Sequence, residues 1–268
     1  MNVGLLHPGA MGTFLGTAVA AAGHEVLWVG AGRSAATRER AAGFTEVATL
    51  AEIVGAAPVI ISVCPPESAL EVARTVAAAS FTGLFVDANA VSARTVEAVA
   101  ELLTDVVDGA VIGGPTSDDA VLHLAGDRAI DAAAIFDPTV VRTHLHDGPL
   151  GTASTLKACY AASSKAVTAL LLASRAAARA GGVEDALVGE WARTMPDVLA
   201  RSDASLRQIG AKAWRFSGEM TEAADVFDGA GVPSGFSSAA AEVFARLADL
   251  RDVSYVPADV LTRVAKSP

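Results

Sequence analysis

A chain of 268 residues, 52% of them hydrophobic, has room for a sizeable core in one large domain or two modest ones. Its formal charge of −10 excludes nucleic acid and anionic membranes as natural partners, since both need basic surface. Two cysteines, Cys64 and Cys159, are too few for a disulfide framework, and no basic segment precedes the first apolar run, so a reducing cytoplasmic setting is expected. The most apolar stretch, AVTALLLAS, lies between Lys165 and Arg175 and is too short to span a bilayer.

In chain order, NVGLL predicts a first strand. The segment MGTFLGTAVAAAG then carries small and apolar residues at helical spacing and stops at Gly23, and HEVLWVG reads as a second strand. Between the first strand and the helix lie His7, Pro8, Gly9, Ala10, Met11 and Gly12, where a dinucleotide-binding turn carries G-x-G-x-x-G. Gly9 lets backbone approach a pyrophosphate, Gly12 lets the helix pack close to the strand, and the helix start offers N–H groups and positive dipole to phosphate. His7 replaces the first glycine. It either touches the pyrophosphate or is a plain turn residue, with Pro8 fixing the turn by another route.

The runs VIISV (59–63), LFVD (84–87) and VVDGAVI (106–112) predict further strands, separated by helices over 67–79 and 92–103. Strands apolar on both faces, alternating with helices, indicate a doubly wound parallel α/β sheet covered on both sides. VLHLA and VVRTHLH add two more strand-like pieces. Ligands of such sheets bind beyond the carboxyl ends of the strands. HPGAMG, GAGRS, CPPES and DANAVS fall there, which makes Cys64, Pro65 and Asn89 candidates beside the turn.

GAGRS bears on the cofactor. An NAD-binding chain usually ends its second strand near an acidic residue that holds the ribose; here Arg33 and Ser34 follow, with Thr37 and Arg38 close behind and no carboxylate. Arg33 pairs with a 2′-phosphate and Ser34 donates to it, so NADP(H) is expected ahead of NAD. The plainer reading makes Arg33 a solvated charge and Ser34 a helix cap.

From Gly151 to Gly181 the sequence reads as one long helix, followed by helices over 184–201, 206–220, 221–229 and 237–250. The expected division is a Rossmann-type domain over residues 1–147 and an all-helical domain over 148–268.

The order of motifs resembles the β-hydroxyacid dehydrogenases, relatives of 6-phosphogluconate dehydrogenase and of the imine reductases, over nearly the whole chain. GLLHPGAMG is similar to the family's GxIGLGxMG, DGAVIGG to its substrate-binding DAPVSGG, and GPLGTASTLK to GxxGxxxxxK, whose lysine is catalytic. The resemblance implies Lys157 as acid or base, with Ile112, Gly113, Gly114 and Ala161 at the positions around a small-molecule substrate; Asn89 at the sheet edge, Tyr160 and Ser164 on the Lys157 helix face, and Arg215 are further substrate candidates by position. Three departures stand out: Ile112 replaces a carboxylate-binding serine, Ala161 replaces an asparagine, and the KDL lysine is missing at Gly218-Glu219-Met220. They imply an altered substrate shell.

Lys157 also has a case of its own. Residues 157, 160, 161, 164 and 168 share one helical face and form a polar stripe on an apolar helix. A desolvated lysine there can exchange a proton with a carbonyl oxygen; a snorkelling lysine is the plainer reading. His144 and His146 alternate along a strand, but the spacing shows no third ligand, so no metal is expected. Ser92 reads as a helix cap, and Arg215 with Glu219 as a helix pair or an anion contact. The expected activity is hydride transfer on a carbonyl or hydroxy compound. Imine reduction and a non-catalytic NADP-binding sensor or scaffold are the alternatives. The apolar circumference of LLLASRAAARA predicts a homodimer through the helical half, which the resemblance also implies, with Arg215, Glu219 or Met220 reaching the partner's site.

Overall fold

The computed structural model describes residues 1–115 and 119–265. It divides into two compact units, Met1–Lys157 and Ala158–Pro268.

The first unit alternates strands and helices: β1 (Asn2–Leu6), α1 (Ala10–Ala21), β2 (Glu25–Val29), α2 (Ala35–Arg40), β3 (Thr45–Val47), α3 (Leu50–Ala56), β4 (Val59–Ser62), α4 (Ala69–Ala78), β5 (Leu84–Asp87), α5 (Ala93–Ala100), β6 (Asp105–Ile112), β7 (Val121–Ala125), α6 (Ala129–Ala134) and β8 (Arg142–Leu145). The eight strands form one sheet in the order β3-β2-β1-β4-β5-β6-β7-β8. Pairing is parallel from β3 through β6. Alternate residues feed two cores, with Val3, Leu5, Ile61, Val86 and Val107 on one face and Leu6, Leu27, Ile60 and Phe85 on the other. Each such fully buried side chain contributes about 1.5–3 kcal/mol from apolar burial.

The expected doubly wound α/β sheet is present with one difference. β7 runs antiparallel to β6, and β8 is parallel to β7. Only residues 113–120 join β6 to β7, too few for the crossover helix that a parallel neighbour needs. β3 and α3 are additional to the expected elements: β3 has three residues at the sheet edge and no apolar run to announce it.

The second unit is helical. Helical backbone runs from α7 (Thr152–Ala161), whose first turns belong to the first unit, through a π-helical segment at Ala162–Ala166 into α8 (Val167–Ala180). Then come α9 (Glu184–Thr194), α10 (Pro196–Gln208), α11 (Gly210–Gly229), α12 (Gly235–Ala245) and α13 (Pro257–Ala265). Two expectations need correction, and one further helix appears. The helix expected over 184–201 is two, because Pro196 can start a helix but not continue one. The helices expected over 206–220 and 221–229 are one. The polar tail forms α13, whose Val260, Leu261 and Val264 join the helical core. Arg175 of α8 ties the unit together, bonding Glu184 Oε1 at 2.8 Å and Asp203 Oδ1 at 2.7 Å. None of the described helices is long and apolar enough to cross a membrane.

Candidate functional site

Parallel β1, β2, β4, β5 and β6 bring their carboxyl ends to one edge of the first unit. After β1 the chain turns sharply, with Gly9 N–H donating to His7 O at 2.7 Å, and α1 begins at Ala10. No side chain caps α1 and its first turn carries no acid. Gly12 is obligatory, since a Cβ there would stand 2.6 Å from the His7 carbonyl oxygen. His7 occupies the left-handed region, φ +67°, that a glycine adopts without cost. Its Nδ1 is buried without a hydrogen-bond partner. Burial, reinforced by the Arg33 charge, lowers the His7 pKa to about 4, so the ring is neutral at pH 7.

After β2, Arg33 is exposed and Ser34 caps α2, accepting from Thr37 N–H at 3.3 Å. The expected absence of a carboxylate is incorrect. Glu46 arrives from β3 against Gly30, where Arg38 binds both of its oxygens at 2.6 and 2.8 Å and the Gly30 carbonyl as well. Its charge is thus already answered. Arg40, missed in the sequence, approaches the Pro8 carbonyl at 3.4 Å and Thr37 Oγ1 at 3.1 Å. It comes from the far end of α2, so no contiguous motif marks it.

Asn89 is 3% exposed and knits the loops after β4 and β5. Its Oδ1 accepts from Cys64 N–H at 2.6 Å, its Nδ2 donates to Ser62 Oγ at 3.3 Å, and its N–H donates to Asp87 Oδ1 at 3.1 Å. Burial, with Asp87 nearby, pushes the Cys64 thiol up to about 12, so it is no nucleophile at neutral pH. Pro65, half-buried, opens the single 3₁₀ turn that precedes α4, and Ser92 caps α5 as expected.

On β6, Asp108 is fully buried and receives Ser154 Oγ at 2.6 Å and Ser154 N–H at 3.0 Å. Burial raises its pKa, against the Ser154 hydrogen bonds that lower it. The contact pins the first turn of α7 to the sheet, and Ala153 packs on Ala110 and Ala125 beside it. One turn on, Lys157 Nζ donates to the Val111 carbonyl at 2.5 Å, at the carboxyl end of β6. Ile112, half-buried, and exposed Gly113 follow directly, and then Gly114. Gly113 has φ +104°, and a Cβ there would meet Ala120 Cα at 2.8 Å.

In the second unit, Tyr160 is 49% exposed and Ala161 is buried. Two hydroxyls of the expected polar stripe turn back on the helix: Ser164 Oγ donates to the Tyr160 carbonyl at 2.8 Å and Thr168 Oγ1 to the Ser164 carbonyl at 3.2 Å. They satisfy carbonyls around the π-helical segment. Arg215 is exposed and stacks over Phe216, 5.6 Å from the ring centroid. Its expected pair, Glu219, binds Lys165 instead, a residue the sequence reading left unused. Met220 is 0% exposed and belongs to the core, which removes it as a residue reaching a partner's site.

The expectation that His144 and His146 lack a third companion is also overturned. His123 on β7 is the register partner of His144 on β8, and its Nδ1 lies 3.0 Å from His146 Nε2.

A Rossmann-type sheet with a glycine turn at its carboxyl edge, followed by a helical unit, defines a chain of the dinucleotide-binding class. In fold it stands with the 3-hydroxyacid dehydrogenases and the imine-reducing enzymes, which bears out the resemblance drawn from its motifs. The conserved protein MTH1747, described as of unknown function and structurally similar to 3-hydroxyacid dehydrogenases, is 26% identical, with 94% of this chain and 98% of that one covered and a TM-score of 0.66. The Mycobacterium tuberculosis 3-hydroxyisobutyrate dehydrogenase, solved with L-serine, is 19% identical over 99% of both chains, TM-score 0.70. The Aspergillus terreus reductive aminase, solved with NADPH and ethyl levulinate, is 16% identical over 97% and 98%, TM-score 0.56. A domain of unknown function, DUF1932, matches residues 178–247. No curated protein sequence matches significantly.

Proposed function

We propose that this chain is an NADP-dependent oxidoreductase acting on a small carbonyl or hydroxy compound, with Lys157 as its proton donor and acceptor. The observation that carries the reading is the seat of Lys157 Nζ on the Val111 carbonyl, at the sheet edge that also presents the His7–Gly12 turn. Fold neighbours that are dehydrogenases or hold NADPH support it.

The residues present fit a dinucleotide. The uncapped start of α1 and the close approach at Gly12 suit a diphosphate, and Arg33 with Arg40 suits a 2′-phosphate. The reading also includes Met11, Cys64, Pro65 and Asn89 around the cofactor. NADP(H) bound there would supply or accept the hydride. Lys157 provides the proton that a carbonyl oxygen takes up as it becomes a hydroxyl, and recovers it in the reverse direction. An ammonium has three N–H donors, and the Val111 carbonyl takes one while fixing where the group points. The apolar Ile112 disfavours a carboxylate handle of the usual kind.

The test is a screen of NADPH oxidation with aldehydes, ketones and cyclic imines, and of NADP⁺ reduction with hydroxy acids. Carbonyl or alcohol turnover that depends on Lys157 supports the reading. Turnover of imines alone, indifferent to Lys157, points to an imine reductase. Tight NADPH binding with no turnover points to a sensor or scaffold.

The reading includes a homodimer. Leu170 and Phe236 are 63% and 75% exposed and line an open apolar cavity of about 780 Å³ within the helical unit. A second copy of the chain is proposed to cover it. The free cysteines Cys64 and Cys159 suit a reducing cytoplasm.

A further inference from the structure

We propose that His123, His144 and His146 form a binding site for one divalent transition-metal ion, of which Zn²⁺ is the best match. The site is independent of the oxidoreductase reading and follows from the turn the sheet takes after β6. Because β7 runs antiparallel to β6 and β8 parallel to β7, His123 comes level with His144 on the neighbouring strand. Side chains alternate along a strand, so His146, two residues on, projects from the same face as His144. The three imidazoles therefore converge at the open edge of the sheet.

Their geometry is that of a site nearly assembled. Ring centroids lie 5.4, 5.1 and 4.7 Å apart, and one nitrogen from each ring falls within 4.8 Å of the others. His123 Nδ1 and His146 Nε2 are already at 3.0 Å. Two nitrogens bound tetrahedrally at zinc distances stand about 3.3 Å apart. That pair is thus within a few tenths of an ångström of its place. His144 is exposed on the outermost strand and completes the set by rotating its ring inward.

The hydrogen bond between His123 and His146 needs no proton to leave the protein. The donor ring takes its other tautomer, and both nitrogens then present lone pairs. Three neutral imidazoles suit zinc and leave a fourth position for water or a small ligand. The net charge of −10 favours a cation overall.

The full-length protein, stripped with a chelator, is titrated with Zn²⁺ by calorimetry and with Co²⁺ by visible absorption. One equivalent per chain is expected. Removing a hydrogen-bond partner of a metal ligand already costs 10- to 100-fold, so His144→Gln should weaken Zn²⁺ binding about 100-fold or more. His123→Gln should do the same, and Cys159→Ser should change nothing. Should either histidine variant bind Zn²⁺ as wild type does, should no one-equivalent saturation be reached, or should Cys159→Ser abolish binding, the site is not what we infer. His144 is exposed on an edge strand, so its loss leaves the fold intact and the experiment decisive.

Discussion

Lys157 Nζ lies 2.5 Å from the Val111 carbonyl oxygen, a contact between residues 46 positions apart that sets an ammonium at the carboxyl end of β6. The anchor is secured one turn earlier, where buried Asp108 takes both donors of Ser154. A lysine held this way differs from one that merely snorkels, because its head group is directed by backbone. Lys157→Met should therefore leave NADPH affinity nearly unchanged and reduce turnover by about 10²–10⁴, the span of a general acid or base. Stopped-flow reduction with a turned-over substrate measures it; an unchanged rate removes Lys157 from the chemistry.

Arg33 is exposed, and among the described residues its guanidinium enters no ion pair or hydrogen bond, whereas that of Arg38 is occupied by Glu46. Arg33→Ala should weaken NADPH binding about ten- to a hundredfold, as loss of a charge-assisted phosphate contact does, and leave NADH nearly unaffected. Fluorescence titration with both cofactors separates the two. Equal affinity of the wild type for NADH and NADPH would contradict the assignment.

His7 couples the turn to pH. Its pKa falls from 6.5 to about 4 on folding, so between those values the unfolded chain binds more protons than the native one. The contribution is complete above pH 6.5 and is lost as pH drops toward 4. Its ceiling is about 3 kcal/mol, and solvent screening of a partly buried ring brings it lower. His7→Gly should flatten that part of the stability profile and relieve a left-handed conformation that costs a non-glycine residue about 1 kcal/mol. Urea midpoints at pH 5 and pH 7.5 read both effects, and an identical pH dependence in the variant would defeat the argument.

The homodimer should be obligate, burying more than about 2,000 Å² through the helical unit. α13 covers part of the long helix, but Leu170 and Phe236 stay exposed. Sedimentation at low micromolar concentration should show a dimer, and Leu170→Glu combined with Phe236→Glu should dissociate it. A stable monomeric wild type would remove the assembly, and with it any contribution of Arg215 to a partner's site.

What was legible from sequence was local. Val59–Ser62 and Leu84–Asp87 are strands because short apolar runs are buried on both faces of a covered sheet, and the run itself reports that burial. The turn at Gly9 and Gly12 was legible for a similar reason, since its steric demands fall within six residues. The tertiary structure alone decided the pairings between distant positions: Asp108 with Ser154, Glu46 beside Gly30, Lys165 with Glu219, and His123 with His144 and His146. These depend on strand order and register, and the reversal of β7 sets the last of them. No periodicity along the chain encodes which residue of one strand lies level with which of the next, so the buried carboxylate anchor and the histidine cluster emerge only once the sheet is assembled.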